Sequence, residues 1–148
     1  MKLSSALLAY LAASAASSLA QSINIGAPAE WTAVTQGRNL TVRVDKPLTM
    51  GNSVEVGIAI GLHPCGDNPC AANPDVANFI DPLLYVGPYD PQYREVGLQP
   101  YQNFTVTIPE YFPGLSQELS LNVAHFELVS AALQPFVEVK NITLRLVA

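Results

Sequence analysis

Apolar and polar residues alternate with a period of two along most of this chain. Leu40, Val42 and Val44 alternate with Thr41, Arg43 and Asp45. Val54, Val56, Ile58, Ile60 and Leu62 form the longest stripe, opposite Ser53, Glu55, Gly57, Ala59 and Gly61. Successive side chains of a strand point to opposite faces, so each stripe predicts a strand with one buried face. The small residues opposite the longest stripe predict that this second face is covered too, or closely approached by another backbone. Phe104, Val106 and Ile108 repeat the pattern. Leu119, Leu121 and Val123 do so again, after which Ala124, Phe126 and Leu128 become the apolar set. A second change of phase separates Val137 and Val139 from Ile142, Leu144 and Leu146. One extra residue turns every later side chain to the other face, so both changes predict β-bulges. Shorter strands are expected near Ile23–Ile25 and Leu83–Val86.

About seven strands result, with Pro- and Gly-bearing turns between them and no long helix. The 12 prolines sit at the ends of apolar runs, where a missing ladder donor costs least. Two antiparallel sheets packed face to face bury such stripes well. The expected fold is all-β, an immunoglobulin-like or fibronectin-like sandwich, with a small barrel as the alternative. Trp31 is the only tryptophan and the two cysteines are near neighbours, so the antibody Cys-Trp-Cys core is absent.

The first residues change the picture. Met1 and Lys2 precede an apolar run from Ala6 to Ala16, and Ser18-Leu19-Ala20 offers small residues for cleavage. That is the form of a secretory signal peptide over residues 1–20, too short and too rich in Ala and Ser to favour a membrane anchor. The folded domain is then one unit, residues 21–148, made for an oxidising extracellular setting. The longest later apolar stretch, Val56 to Leu62, is strand-sized, and no lipid-anchor tail follows Thr143, so release is expected. Without Lys2, six basic side chains face 12 acidic ones, a net charge of about −6. Such a surface repels phosphate backbones and anionic lipid, which argues against nucleic acid as a partner.

The candidate chemistry is sparse. Cys65 and Cys70 are expected to form a disulfide that staples one loop. A metal site from His63, Cys65 and Cys70 is the sharper reading, but secretion oxidises thiols and no fourth ligand is evident. Asn39, Asn103 and Asn141 each open an Asn-x-Thr sequon at or near a strand. His125 reads as a sheet residue rather than a catalyst. No Gly-x-Ser-x-Gly elbow occurs, and Asp81, Asp90, Glu95 and Glu110 are not spaced as a glycosidase pair. A start at Gln21 excludes a copper site built on an amino-terminal His. No catalytic residue, cofactor or metal is expected. The segment from His63 to Asp81 is long for a sandwich loop, and such loops are often functional. Tyr85, Tyr89, Tyr93, Tyr101, Tyr111 and Phe112 cluster after it. Tyr85, Tyr89 and Tyr93 are the candidate partner-binding residues, because exposed tyrosines make good anchors. Packing along sheet edges is the plainer alternative for them.

The stretches VEVGIAIGLHPC (54–65), LLYVGPYDPQYREVGLQPYQNFTVTIPEYFPG (83–114) and LNVAHFELVSAALQPFVEVKNITLRL (121–146) resemble the necrosis-inducing secreted effectors of plant-associated fungi. The likeness covers most of the domain. It implies a non-enzymatic protein that binds plant immune receptor-associated kinases, suppresses pattern-triggered immunity and provokes cell death. It also implies uptake into the host cytoplasm after secretion. Beside it stand two other readings: an extracellular cell-wall or glycan-binding module that stacks sugars on its tyrosines, and a hydrolase with an unrecognised carboxylate pair.

The leader makes one direct prediction. Amino-terminal sequencing of secreted protein should begin at Gln21, and an intact Met1 in that material would contradict cleavage.

Overall fold

A computed structural model gives the fold and describes residues 22–48, 51–111 and 118–147. The expected signal peptide, Gln21 and Phe112 lie outside the described residues. The strands are β1 (Asn24–Ala27), β2 (Ala33–Thr35), β3 (Asn39–Asp45), β4 (Ser53–Pro64), β5 (Leu83–Gly87), β6 (Tyr101–Thr107), β7 (Glu118–Val129) and β8 (Gln134–Val147). They form a small sheet in the order β1-β3-β6 and a large sheet in the order β2-β8-β7-β4-β5. Every pairing is antiparallel except β2 with β8. The chain is therefore all-β with two sheets. The strand beyond the expected seven is β2, whose three residues are too short to leave a stripe. Among the described residues no helix is long and apolar enough to cross a membrane.

One core lies between the sheets. Val42 and Val44 of β3 and Phe104 and Val106 of β6 meet Ile58, Ile60 and Leu62 of β4, Leu119, Leu121 and Val123 of β7 and Leu144 of β8. Each such side chain contributes about 1.5–3 kcal/mol by leaving water.

The two phase changes are not bulges where they were expected. β7 and β8 pair without a shift from Glu118↔Arg145 to Val129↔Gln134. The inward positions of β7 simply continue as His125 and Glu127, both fully buried. Those of β8 continue as Phe136, Glu138 and Lys140. The bulge is in β4, between Glu55 and Gly57, and it turns Val54 and Val56 out to solvent while Glu55 points in. Sequence period alone could not separate a shifted strand with apolar residues inside from an unshifted one with polar residues inside. The five-stranded sheet is thus apolar-in along one half and polar-in along the other.

The outer face divides in the same way. Over one half, the segment from Cys65 to Pro82 folds down as a lid carrying two short 3-10 helices, Cys70–Ala72 and Pro74–Asn78. Cys65 and Cys70 are disulfide-bonded and buried with Val76. The Cys70 N–H donates to Glu118 Oε2 at 2.8 Å. Asn122, buried on the outer face of β7, donates through Nδ2 to the carbonyls of Val76 (2.6 Å) and Phe79 (2.5 Å). His63 stacks on Phe79 with centroids 4.9 Å apart. Gly61 is needed beneath the lid: a Cβ there would lie 2.5 Å from Ile80 Cγ2 and 2.7 Å from the Pro82 carbonyl oxygen. The second face expected to be covered opposite the longest stripe is covered only at Gly61; Gly57 and Ala59 on the same face floor an open groove, and Glu55 points inward. Among the described residues, no segment lies over the other half of the outer face.

Two substitutions test this phase assignment by urea unfolding. Leu121→Ala should cost about 2–5 kcal/mol, as for a fully buried leucine. Val137→Ala should cost less than about 0.5 kcal/mol, as for a surface site. A cost near 2 kcal/mol at Val137 would return it to the core.

Candidate functional site

Three neighbouring strands turn charged side chains inward at the polar half. They are Glu55 on β4, His125 and Glu127 on β7, and Glu138 on β8. Lys46, just past the end of β3, reaches them from the small sheet and is buried. His125 Nε2 lies 2.5 Å from Glu55 Oε2, and its Nδ1 lies 3.2 Å from Glu138 Oε1. Lys46 Nζ is 3.0 Å from Glu55 Oε1 and also pairs closely with Glu127 Oε2. The result is one chain of contacts, Glu138–His125–Glu55–Lys46–Glu127. Ser22 Oγ and the Ile23 N–H donate to the two oxygens of Glu138 at 2.5 and 2.8 Å. Tyr89 sets its ring edge-on to His125 at 5.4 Å and donates its hydroxyl to the Val44 carbonyl at 3.2 Å.

Burial penalises every charge in this centre, and the contacts decide which survive. Desolvation lowers the affinity of His125 for its proton, but the bonds to Glu138 and Glu55 outweigh it and raise the net pKa. Desolvation pushes Glu55 up, yet His125 and Lys46 together hold it below the usual carboxylate range. Glu138 is likewise lowered by His125, Ser22 and the Ile23 amide against its own desolvation. Burial, reinforced by the surrounding carboxylates, keeps Tyr89 protonated. Glu127 Oε1 has no hydrogen-bond partner among the described residues. Glu55, His125 and Glu127 bring ligand atoms within 4.8 Å of one another. Lys46 already serves both carboxylates as their cation, so the cluster is an ion-paired centre with a proton-holding imidazole.

Directly outside this centre lies an apolar face. Val54 and Val56 flank Glu55, Phe126 lies between His125 and Glu127, and Val137 and Val139 flank Glu138. All five are exposed, as is Val86 on β5. Between Val56, Val86, Phe126 and Val137 runs a groove of about 390 Å³ floored by Gly57, Ala59, Gly87 and Ala124.

The expected site residues fall in different places. Tyr89 is 3% exposed and belongs to the core, so it is not a surface anchor. Tyr85 is half-buried against Phe104, with its hydroxyl on the Pro88 carbonyl. Tyr93 is 66% exposed, on a loop closed by the Gln92↔Tyr101 bridge. Tyr101 is buried and donates to Glu95, while Tyr111 is exposed. Asn39, Asn103 and Asn141 are all exposed. Asn39 and Asn103 share the outer face of the small sheet, where Asn39 accepts from Thr107 Oγ1 at 2.9 Å. With Cys65 and Cys70 bonded to each other, His63 has no thiolate beside it and the metal reading fails. Asp90 accepts from Gln92 and Glu95 from Tyr101, so both are engaged locally. The centre itself was missed. Its signal is the pattern Val-Glu-Val at 54–56 and 137–139, where the glutamates take the inward phase.

Residues 18–145 match the Nis1 family. The chain belongs to the Nis1 family. No curated protein matches it. Among solved structures it is similar to a superoxide reductase (neelaredoxin) from Ignicoccus hospitalis. One structure of a variant of that reductase is 16% identical with a TM-score of 0.45, covering 91% of this chain and 87% of that one. A second structure of the reductase gives 16% identity and a TM-score of 0.42, over 84% and 80%. A likeness this distant does not carry the reductase's chemistry to this Nis1 family chain.

The centre makes stability depend on pH in a stated direction. Glu55 and Glu138 are lowered from 4.5, so their contribution is complete above that value and is lost as pH falls through their folded values. His125 is raised from 6.5, so its contribution is complete below that value and is lost as pH rises through the folded value. Urea midpoints should therefore peak between about pH 4.5 and 6.5. In His125→Gln the decline on the alkaline side should disappear, and a midpoint still rising above pH 7 in the parent would contradict the assignment.

Proposed function

We propose that this protein is a secreted effector of a plant-associated fungus that acts without catalysis. It binds a plant immune receptor-associated kinase and suppresses pattern-triggered immunity. In this reading an immunoglobulin-like or fibronectin-like scaffold carries the contact surface, and host cell death follows from the same contact. The observation that carries it is the bare apolar half of the large sheet. A protein that only needed a stable core would turn Val56, Phe126, Val137 and Val139 inward and leave the glutamates in water. This chain spends burial on the charges and leaves apolar side chains exposed around a groove, the usual form of a protein-docking surface. Inhibiting a kinase needs only such a surface, one that blocks substrate or holds an inactive state. The contact lies on a sheet face rather than on the tyrosine loops, because Tyr89 is internal and Tyr85 half so. Tyr93 remains as a peripheral contact.

Val86 and Val137, 68% and 65% exposed, can be changed with little cost to folding. Val86→Asp with Val137→Asp should weaken binding to the kinase domain about thirtyfold or more, equivalent to about 2 kcal/mol. Tyr93→Ala should change it less than about threefold. Unchanged binding by the double variant would remove the face from the mechanism. Binding of the parent to chitin or glucan, with none to any plant kinase, would favour a wall-binding module.

A further inference from the structure

Both ring nitrogens of His125 lie within hydrogen-bond distance of a carboxylate oxygen, Nε2 on β4's Glu55 and Nδ1 on β8's Glu138. A carboxylate only accepts, so each nitrogen needs its own hydrogen, and only the imidazolium carries two. We propose that the proton on His125 controls the presentation of the apolar docking face: with it β4, β7 and β8 are clamped and the face is ordered, and without it the clamp opens on one side and the face loosens. This rests on the reading of that face as the docking surface and adds its regulation.

The geometry of the link is short. Each clamped residue is a sequence neighbour of face residues: Glu55 of Val54 and Val56, His125 of Phe126, Glu138 of Val137 and Val139. A neutral imidazole must turn a lone pair toward Glu55 or Glu138. That sets a lone pair against a carboxylate around a fully buried ring, where water screens poorly. The surroundings do not supply a replacement. β7 contributes Glu127, and the small sheet contributes Asp45 and the cation Lys46, already held by Glu127 and Glu55. Tyr89, from the segment after β5, has given its hydrogen to Val44. Ser22 and the Ile23 amide are engaged with Glu138, and Lys140 lies 3.8 Å from that residue's outer oxygen. Losing one proton leaves Glu55 and Glu127 to Lys46 and Glu138 to the more distant, part-exposed Lys140. Among the described residues, the apolar half of the same sheet, under the lid, holds no ionisable partner of His125 and is the internal reference.

Hydrogen exchange on the purified secreted protein tests this without any partner. Amide protection, corrected for intrinsic rates, is compared between about pH 5.5 and about pH 8.5. Protection in 53–57, 125–129 and 136–139 should fall about tenfold more than in 119–123 and 142–146. Equal protection at both pH values, or an equal fall in both halves, would overturn the proposal. In His125→Gln the bare half should already be weakly protected at the lower pH and change no further. Glu138→Gln covers the case in which that variant fails to fold. Its amide can donate to an unprotonated Nδ1, so the pH dependence of 136–139 should vanish, and full retention would overturn the proposal. A kinase that fails to bind at any pH would sink the proposed function and leave these exchange results unaffected.

Discussion

The imidazole of His125, fixed between Glu55 and Glu138, is the interaction on which the rest of the structure depends. It joins β4, β7 and β8 across the inside of the large sheet, and Lys46 extends the same chain of contacts to the small sheet. Desolvating such groups costs several kcal/mol per ion, and removing one partner from a buried pair typically costs about 3–5 kcal/mol. The centre is therefore a poor way to gain stability and an effective way to specify one arrangement. Turning Phe126 and Val137 inward would carry His125 and Glu138 to the outer face, take the imidazole away from Glu55 and strand Glu55 and Lys46 inside without them.

That constraint gives one sheet two different halves. Where Leu62, Leu121 and Leu144 fill the inside, the outer face is polar or small enough to accept a lid, and Asn122 spends its amide hydrogens on the lid's carbonyls. Where charges fill the inside, the outer face is apolar and no described segment lies over it. The disulfide belongs to the first half only. It closes the first loop of the lid, while the Cys65 and Cys70 N–H groups bond to Glu118 at the start of β7, and it has no part in holding the sheets together.

Much of this fold was legible in the sequence. The stripes at 40–44, 58–62, 104–106 and 119–123 are strands with the predicted inward sets. Gly61 announced a close approach that Ile80 and Pro82 make. The phase changes after Val123 and after Val139 were visible too, but their meaning was not. A hydrophobic stripe implies burial only while apolar residues go inside, and here tertiary ion pairing reverses that rule over half a sheet. Tyr89 shows the same limit from the other side. Nothing local distinguishes it from Tyr93, and only the distance to Val44 and His125 makes it internal. The partners of His125 come from positions 55 and 138, too far apart in sequence for any motif to connect.

β2 borders β8 only from Arg145 to Val147. Among the described residues, the first half of β8 has no strand on its outer side, and it runs beside the bare apolar face. Open edges of that kind invite identical chains to add to one another. Glu138 and Lys140 point inward along this stretch, and Pro135 near its start removes one donor. A copy arriving there would have to bring its own strand against a carboxylate already claimed by His125, Ser22 and Ile23. An inward charge pair and a proline are ways in which sheets blunt an open edge, so the residues that build the ionic centre also make this edge a poor template for strand addition.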